Sequence, residues 1–322
     1  LARLEEIRIR GEQDELNEER KGLRKTLSSQ LRLKTLMKKE LKSIEEEHPD
    51  TRRAPLVARE EAKAFNESEL ASADPLTIIL SEKGWIRAAK GHDIDPTLVT
   101  YKSGDSFRFS VRGKSNSPVI VIDSTGRAYT VPTHQLPSAR GQGEPLTGRI
   151  NPPSGATFEG LIAGVKGDLL VLASDSGYGF VAELSKLHTK NKAGKAVLTL
   201  PRGSRVLPPL LVPPIKHPVL AAATTAGRML VISLSELPRI SKGKGNKIIG
   251  IPSSRVASGE ELVAGLCVLG EGDTLQVRSG SQYRNFKWSE LKNFRGERGR
   301  RGNKLPRGYQ RVTNLQVANV NS

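Results

Sequence analysis

Disulfide chemistry is closed to this sequence, because Cys267 is its only cysteine. That excludes an internal bridge and fits a reducing compartment; inside the apolar run 262–269 the thiol reads as core filling. Long apolar stretches are missing too. Residues 219–234 come nearest, but Thr224, Thr225, Gly227 and Arg228 interrupt them, short of the roughly 20 apolar residues a spanning helix needs. The first residues, Leu1-Ala2-Arg3-Leu4-Glu5-Glu6, lack the apolar core and cleavage site of a secretory signal and start in mid-pattern, as the interior of a helix would. His48, His92, His134, His188 and His217 are scattered, with no cysteine or second histidine at ligand spacing, so no metal site is expected. No Gly-x-Ser-x-Gly elbow or Cys/His pairing appears, and Tyr101, Tyr129, Tyr178, Tyr283 and Tyr309 read as packing or rim residues. Gly243-Lys244-Gly245-Asn246-Lys247 lacks the Gly-Lys-Ser/Thr ending of a nucleotide-binding loop, and nothing else suggests a bound cofactor. Aromatic residues make up only 4% of the chain, too few for the stacking platforms that bind single strands or RNA.

Acidic residues are the remaining shortage, 34 against 51 Lys and Arg, for a net charge of +17. Residues 1–66 are nearly balanced, with 16 basic and 14 acidic side chains, which leaves +15 for the rest. Excess cations held on a folded surface favour polyanionic partners, double-stranded DNA foremost. A basic face serving only solubility is the plain alternative.

Leu1, Leu4, Ile7, Leu16, Leu23 and Leu27 are helix-spaced among Glu, Arg and Lys. After Ser28-Ser29 a second helical face runs through Leu31, Leu33, Leu36, Met37, Leu41 and Ile44 to His48-Pro49, where proline ends it. Residues 1–48 are therefore expected to form an α-helical antiparallel coiled-coil hairpin. Residues 49–74 lose periodicity and read as a connector, with one short helix near 59–65. Residues 75–322 form the β domain.

That domain repeats. Leu76-Thr77-Ile78-Ile79-Leu80, Gly84 and Trp85-Ile86-Arg87 make a β-hairpin, and four more follow with turn glycines Gly126, Gly177, Gly227 and Gly280. Gly104, Gly155, Gly203 and Gly259 precede the last four turns at a near-constant distance, each opening a further strand. A basic loop and then a fourth strand, such as Val197-Leu198-Thr199-Leu200, follow each hairpin. A mainly β fold of five blades with about four strands each is expected, because one small sheet cannot bury both its faces alone. A sandwich or barrel of unrelated hairpins is the alternative.

The basic loops keep the same phase. Glycine lets backbone approach a phosphate and Lys or Arg neutralises it, so a ring of such loops can track a duplex without reading sequence. The candidate DNA-binding residues are Lys83, Arg87 and Lys90 in the first unit, Arg127 and Arg140 in the second, and Lys190, Lys192 and Lys195 in the third. Arg228, Lys242, Lys244 and Lys247 follow in the fourth, and Arg284, Arg295, Arg298, Arg300 and Arg301 in the fifth. The stretch 284–311 carries ten Lys and Arg against Glu290 and Glu297 and is expected to be the most basic surface. A propeller-type protein-interaction module, with incidental charge, is the rival reading.

Several stretches carry a resemblance. They are Leu1-Ala2-Arg3-Leu4-Glu5-Glu6-Ile7, Arg52-Arg53-Ala54-Pro55-Leu56, Arg59-Glu60-Glu61-Ala62-Lys63, and Gly84-Trp85-Ile86-Arg87 with Lys90-Gly91-His92-Asp93-Ile94-Asp95. To these are added Asp123-Ser124-Thr125-Gly126-Arg127, Leu136-Pro137-Ser138-Ala139-Arg140-Gly141-Gln142-Gly143-Glu144-Pro145-Leu146-Thr147-Gly148, and Gly296-Glu297-Arg298-Gly299-Arg300-Arg301-Gly302. Together they resemble the C-terminal part of the A subunits of bacterial type IIA topoisomerases, on the topoisomerase IV side, over essentially the whole chain. The resemblance implies a five-bladed β-pinwheel whose blades exchange strands and bend double-stranded DNA. It implies that residues 1–48 end the breakage-reunion core, and that the protein pairs with itself and with the B subunit of topoisomerase IV in a cytoplasmic, nucleoid-associated heterotetramer. ATP and magnesium would be bound elsewhere in that assembly, and the family's catalytic tyrosine lies in a domain not contained in this chain. The A subunits of gyrases carry a Gln-Arg-Arg-Gly-Gly-Lys-Gly box where this chain has Arg87-Ala88-Ala89-Lys90-Gly91-His92-Asp93. Decatenation and relaxation are therefore expected rather than gyrase-type wrapping, which is the alternative.

Overall fold

The structure, a computed structural model, describes residues 2–48 and 73–318. The expected helix near 59–65 and the stretches 52–56 and 59–63 lie outside the described residues. Helices and sheets belong to separate compact units. Helix α1 (Ala2–Leu27) has no proline, and its exposed face carries Arg10–Glu6, Arg8–Glu12 and Lys21–Glu18 pairs three or four residues apart. At its C-terminal end the Thr26 and Ser28 hydroxyls donate to the carbonyls of Gly22 and Lys25. Ser29 is extended, and α2 (Gln30–Glu47) begins beside it. Both helices fall where the periodicity places them, but the leucine stripes stay open. Even Leu33 and Leu36, the most covered among them, are 38% and 40% exposed. No helix among the described residues is long and apolar enough to cross a membrane.

Five hairpins stand where the turn glycines mark them: β1 (Pro75–Ser81) with β2 (Trp85–Lys90), β4 (Val119–Asp123) with β5 (Arg127–Val131), and β8 (Leu169–Ala173) with β9 (Tyr178–Glu183). The remaining two are β12 (Val219–Thr224) with β13 (Arg228–Ser233), and β16 (Leu275–Ser279) with β17 (Gln282–Phe286). On one edge each sheet adds a later strand that lies before the next hairpin or, in the fifth sheet, near the end of the described residues: β3 (Phe107–Lys114), β7 (Phe158–Ala163), β11 (Leu210–Leu211), β15 (Val263–Leu269) and β19 (Asn314–Val317). On the other edge, each of the first four sheets borrows a short strand from beyond the next hairpin. These are β6 (Glu144–Pro145), β10 (Lys195–Ala196), β14 (Asn246–Lys247) and β18 (Asn303–Lys304).

This arrangement corrects the grouping read from the sequence. Strands opened by Gly104, Gly155, Gly203 and Gly259 pair backward with the preceding hairpin, and the basic loops also reach backward. The fifth blade has three strands, since no later hairpin exists among the described residues to complete it.

The apolar runs are continuous rather than alternating in the second, third and fourth blades because a neighbouring blade covers each of their faces. Val119 and Val121 pack with Ile78, Leu80 and Ile86 of the first blade, while Ile120 and Ile122 pack with Leu170, Leu172 and Phe180 of the third. Two further clusters join the third blade to the fourth and the fourth to the fifth. Among the described residues no apolar cluster joins the fifth to the first, and the faces turned away from their neighbours carry polar contacts. On the fifth blade Gln276 bonds Asn285, and Arg278 and Gln316 bond Gln276. On the first, Thr77 bonds the carbonyl of Gly91 and His92 that of Gly113.

Candidate nucleic-acid interface

The borrowed segments build this surface. Residues 138–151 lie on the first blade, 190–199 on the second, 239–251 on the third and 295–304 on the fourth. Three of them enter alongside the second hairpin strand through parallel bridges Ala88↔Ser138, Val181↔Arg239 and Val231↔Arg295. Each then turns through a glycine of positive φ (Gly143, Gly194, Gly245, Gly302) pressed against the host strand. A Cβ on Gly143 would stand 2.6 Å from the Ile86 carbonyl, and one on Gly194 2.5 Å from the Tyr129 ring. At these positions glycine is needed for the approach of one blade to another, rather than for the approach of backbone to phosphate.

Successive segments also join one another. Asn151 N–H donates to the Lys192 carbonyl at 2.7 Å; Thr199 N–H donates to Gly243 at 2.9 Å and Gly243 N–H to Val197 at 3.0 Å. Gly299 N–H donates to Ile248 at 2.9 Å, and Gly250 N–H to Arg300 at 2.7 Å. The result is one backbone-linked ribbon across four blades.

Lys83, Lys90, Arg140, Lys190, Lys192, Lys195, Lys242, Lys244, Arg295 and Arg300 are exposed. Of these, Lys195 donates to the Lys186 carbonyl, Arg300 pairs with exposed Glu297 at 3.0 Å, and Arg295 lies 5.0 Å from the Trp288 ring centroid. Lys102, 3.4 Å above the Trp85 ring, and exposed Lys304 in β18 belong to the same edge. Both escaped the sequence reading; the pairing of β18 with Arg228 and Met229, which places Lys304, is visible only in the fold.

Other expected contacts are engaged inside the protein. Arg87 is 2% exposed, donates to the carbonyls of Thr100 and Gly141 at 2.8 Å, and stacks on Tyr101. It has no free reach to a phosphate. Arg127 and Arg228 donate to the carbonyls of Ala193 and Gly302, and Lys247 to that of Ile251. Arg284 pairs with Glu290 at 3.2 Å, and Arg298 donates to the Lys247 carbonyl at 3.2 Å. Arg301 grips Glu261 with both guanidinium arms. The 295–301 run is thus less free than its composition suggests.

Glu261 is completely buried and also accepts from Thr224 at 2.8 Å and Arg255 at 3.4 Å. Burial alone pushes its carboxyl upward, yet these donors, Arg301 foremost, hold it below the usual range. Asp123, also fully buried, locks the Asp123–Arg127 turn by accepting from Thr125 N–H, the Thr125 hydroxyl, Arg127 N–H and the Tyr129 hydroxyl. Among the described residues no three His, Cys, Asp or Glu gather as metal ligands.

Fold and surface together define a strand-exchanging β-propeller with a basic edge. The model of the family described as "DNA gyrase C-terminal domain, beta-propeller" matches residues 168–213 and 219–268, the third and fourth blades with their flanking strands. The chain is 54% identical to the A subunit of DNA topoisomerase 4 from Pseudomonas aeruginosa and 48% identical to that from Escherichia coli K12, in each case over 98% of its length. It spans 42% of the length of each of these relatives. The solved C-terminal domain of E. coli ParC is 48% identical, with a TM-score of 0.69 over 76% of this chain and 99% of that one. A solved C-terminal domain of DNA topoisomerase IV, at 14% identity and TM-score 0.61 over 77% of this chain and 79% of that one, shares the fold. The chain belongs to the family of C-terminal domains found in the A subunits of topoisomerase IV.

Proposed function

We propose that this chain binds and bends double-stranded DNA along the borrowed ribbon, presenting a duplex segment to a cleavage core elsewhere in the A subunit of a topoisomerase IV. The observation that carries this reading is the backbone-linked ribbon, which keeps Arg140, Lys190, Lys192, Lys242, Lys244 and Arg295 exposed along four consecutive blades. Cations in register neutralise phosphates without reading bases, which suits an enzyme that must act on any sequence. In the holoenzyme two A subunits pair with each other and with the ATP-hydrolysing B subunits, pass one duplex through another, and decatenate or relax DNA. These steps are supported by family membership.

The test is a duplex-binding titration across salt concentrations. Neutralising about six phosphates gives a slope of log affinity against log salt of about −5. A slope near zero removes DNA from the account and leaves the interaction-module reading.

A further inference from the structure

The arginines withdrawn from the surface form a pattern of their own. On the first blade Arg87 Nη1 donates to the Gly141 carbonyl at 2.8 Å, on the second Arg127 Nη1 to Ala193 at 3.1 Å, and on the fourth Arg228 Nη1 to Gly302 at 3.0 Å. Each donor sits on the second hairpin strand, and each acceptor lies in the segment lent by the next blade, at or within two residues of its positive-φ glycine. The third blade has Tyr178 directly after its turn glycine, where the second and fourth have Arg127 and Arg228. There the lent segment supplies the cation instead, Lys244 at 4.4 Å and Lys247 at 5.8 Å from the ring centroid.

We infer that Arg87, Arg127, Tyr178 and Arg228 are positioning residues that fasten each lent segment to its host blade and so hold the exposed cations in register, without carrying phosphates themselves. The lent strands are only two residues long, so ladder bonds alone hold them weakly. A guanidinium fork aimed at a carbonyl near the tight glycine adds a directional bond where the chain leaves the strand. Arg87 carries the argument furthest: it is buried, its bonds run to carbonyls rather than to a carboxylate, and its Nη2 has no hydrogen-bond partner among the described residues. A charge placed there does not serve solvent or DNA directly. The inference rests on the DNA reading of the ribbon for its functional consequence, but the fastening can be measured without DNA.

The experiment uses the full chain with Arg127→Lys and Arg228→Lys, both at half-buried positions that should tolerate substitution, with melting curves confirming the fold. These variants keep the charge and lose the fork. Amide exchange at Val197 and Leu198, whose N–H groups donate to Gly126, should speed up in Arg127→Lys, and duplex affinity should fall by roughly tenfold. Lys192→Gln is the control: its salt slope should drop by about 0.9 with exchange unchanged. If Arg127→Lys matches the wild type in both exchange and affinity, the fastening role is wrong. If Arg127→Gln lowers the slope by about 0.9 with exchange unchanged, the arginine carries a phosphate and the inference is overturned. Should the wild type itself show no salt-dependent binding, the DNA reading fails separately, and the exchange comparison still decides whether the arginine fastens the segment.

Discussion

Replacing Glu261 by Gln tests how much of the basic edge depends on one buried carboxylate. Its side chain is fully buried, while those of its partners Arg301 and Arg255 are 30% and 51% exposed. Removing one member of a buried ion pair costs about 3–5 kcal/mol; because both arginines can turn partly to water, the lower end, about 3 kcal/mol, is expected. For a β unit of this size that corresponds to a drop in Tm of about 6–12 °C. Glu260→Gln is the matched control. Glu260 is 68% exposed and 3.9 Å from Arg255, and such a pair contributes about 0–1 kcal/mol. The pH dependence has a definite sign. Since the folded Glu261 carboxyl titrates below its unfolded value, its contribution is present above that unfolded value of about 4.3 and is lost as pH falls through the folded one. The gap between wild type and Glu261→Gln should therefore be widest near neutral pH and close in acid. Thermal melts of the three proteins at several pH values decide the matter. If Glu261→Gln melts together with Glu260→Gln at neutral pH, the bonds from Arg301, Thr224 and Arg255 to Glu261 do not stabilise the fold.

Gly126→Ala should destabilise strongly, because φ is +79° and the new Cβ would run into the Leu198 carbonyl; Gly155→Ala, at φ +76° with open space around it, pays only the backbone strain. Comparing their denaturant midpoints separates the clash from the conformation. The Cys267 thiol, buried and pushed up to about 12 chiefly by that burial, should resist thiol reagents at pH 8 until the blades unfold; prompt labelling of the folded protein would contradict the packing of the fourth and fifth blades.

The hairpins were legible because their signals are local: an apolar run, a positive-φ glycine and a second strand lie within a dozen residues. Partnership was not. Nothing near Gly104 says that the strand it opens pairs with Leu76–Leu80 rather than with Val119–Ile122, since that choice is made by packing far along the chain. Cation direction was hidden for the same reason. Arg298 and Arg300 stand two positions apart, yet Arg298 turns toward the Lys247 carbonyl, 51 residues distant, while Arg300 is exposed. Arginine suits either fate, so composition fixed the total charge of the 284–311 stretch without separating its free from its engaged members. Glycine was ambiguous likewise, because the same residue serves a phosphate loop and a tight approach of two backbones.

Borrowing an edge from the next hairpin makes completion lag behind synthesis. The fourth blade's hairpin is finished at Ser233, but its last strand arrives only with Asn303 and Lys304, several seconds later at roughly 5–20 residues per second. Until then that sheet edge is bare. A chain stopped directly after any of the last four hairpins thus lacks the closing edge of the preceding sheet as well, which argues against trimming the domain from its C-terminal end one repeat at a time.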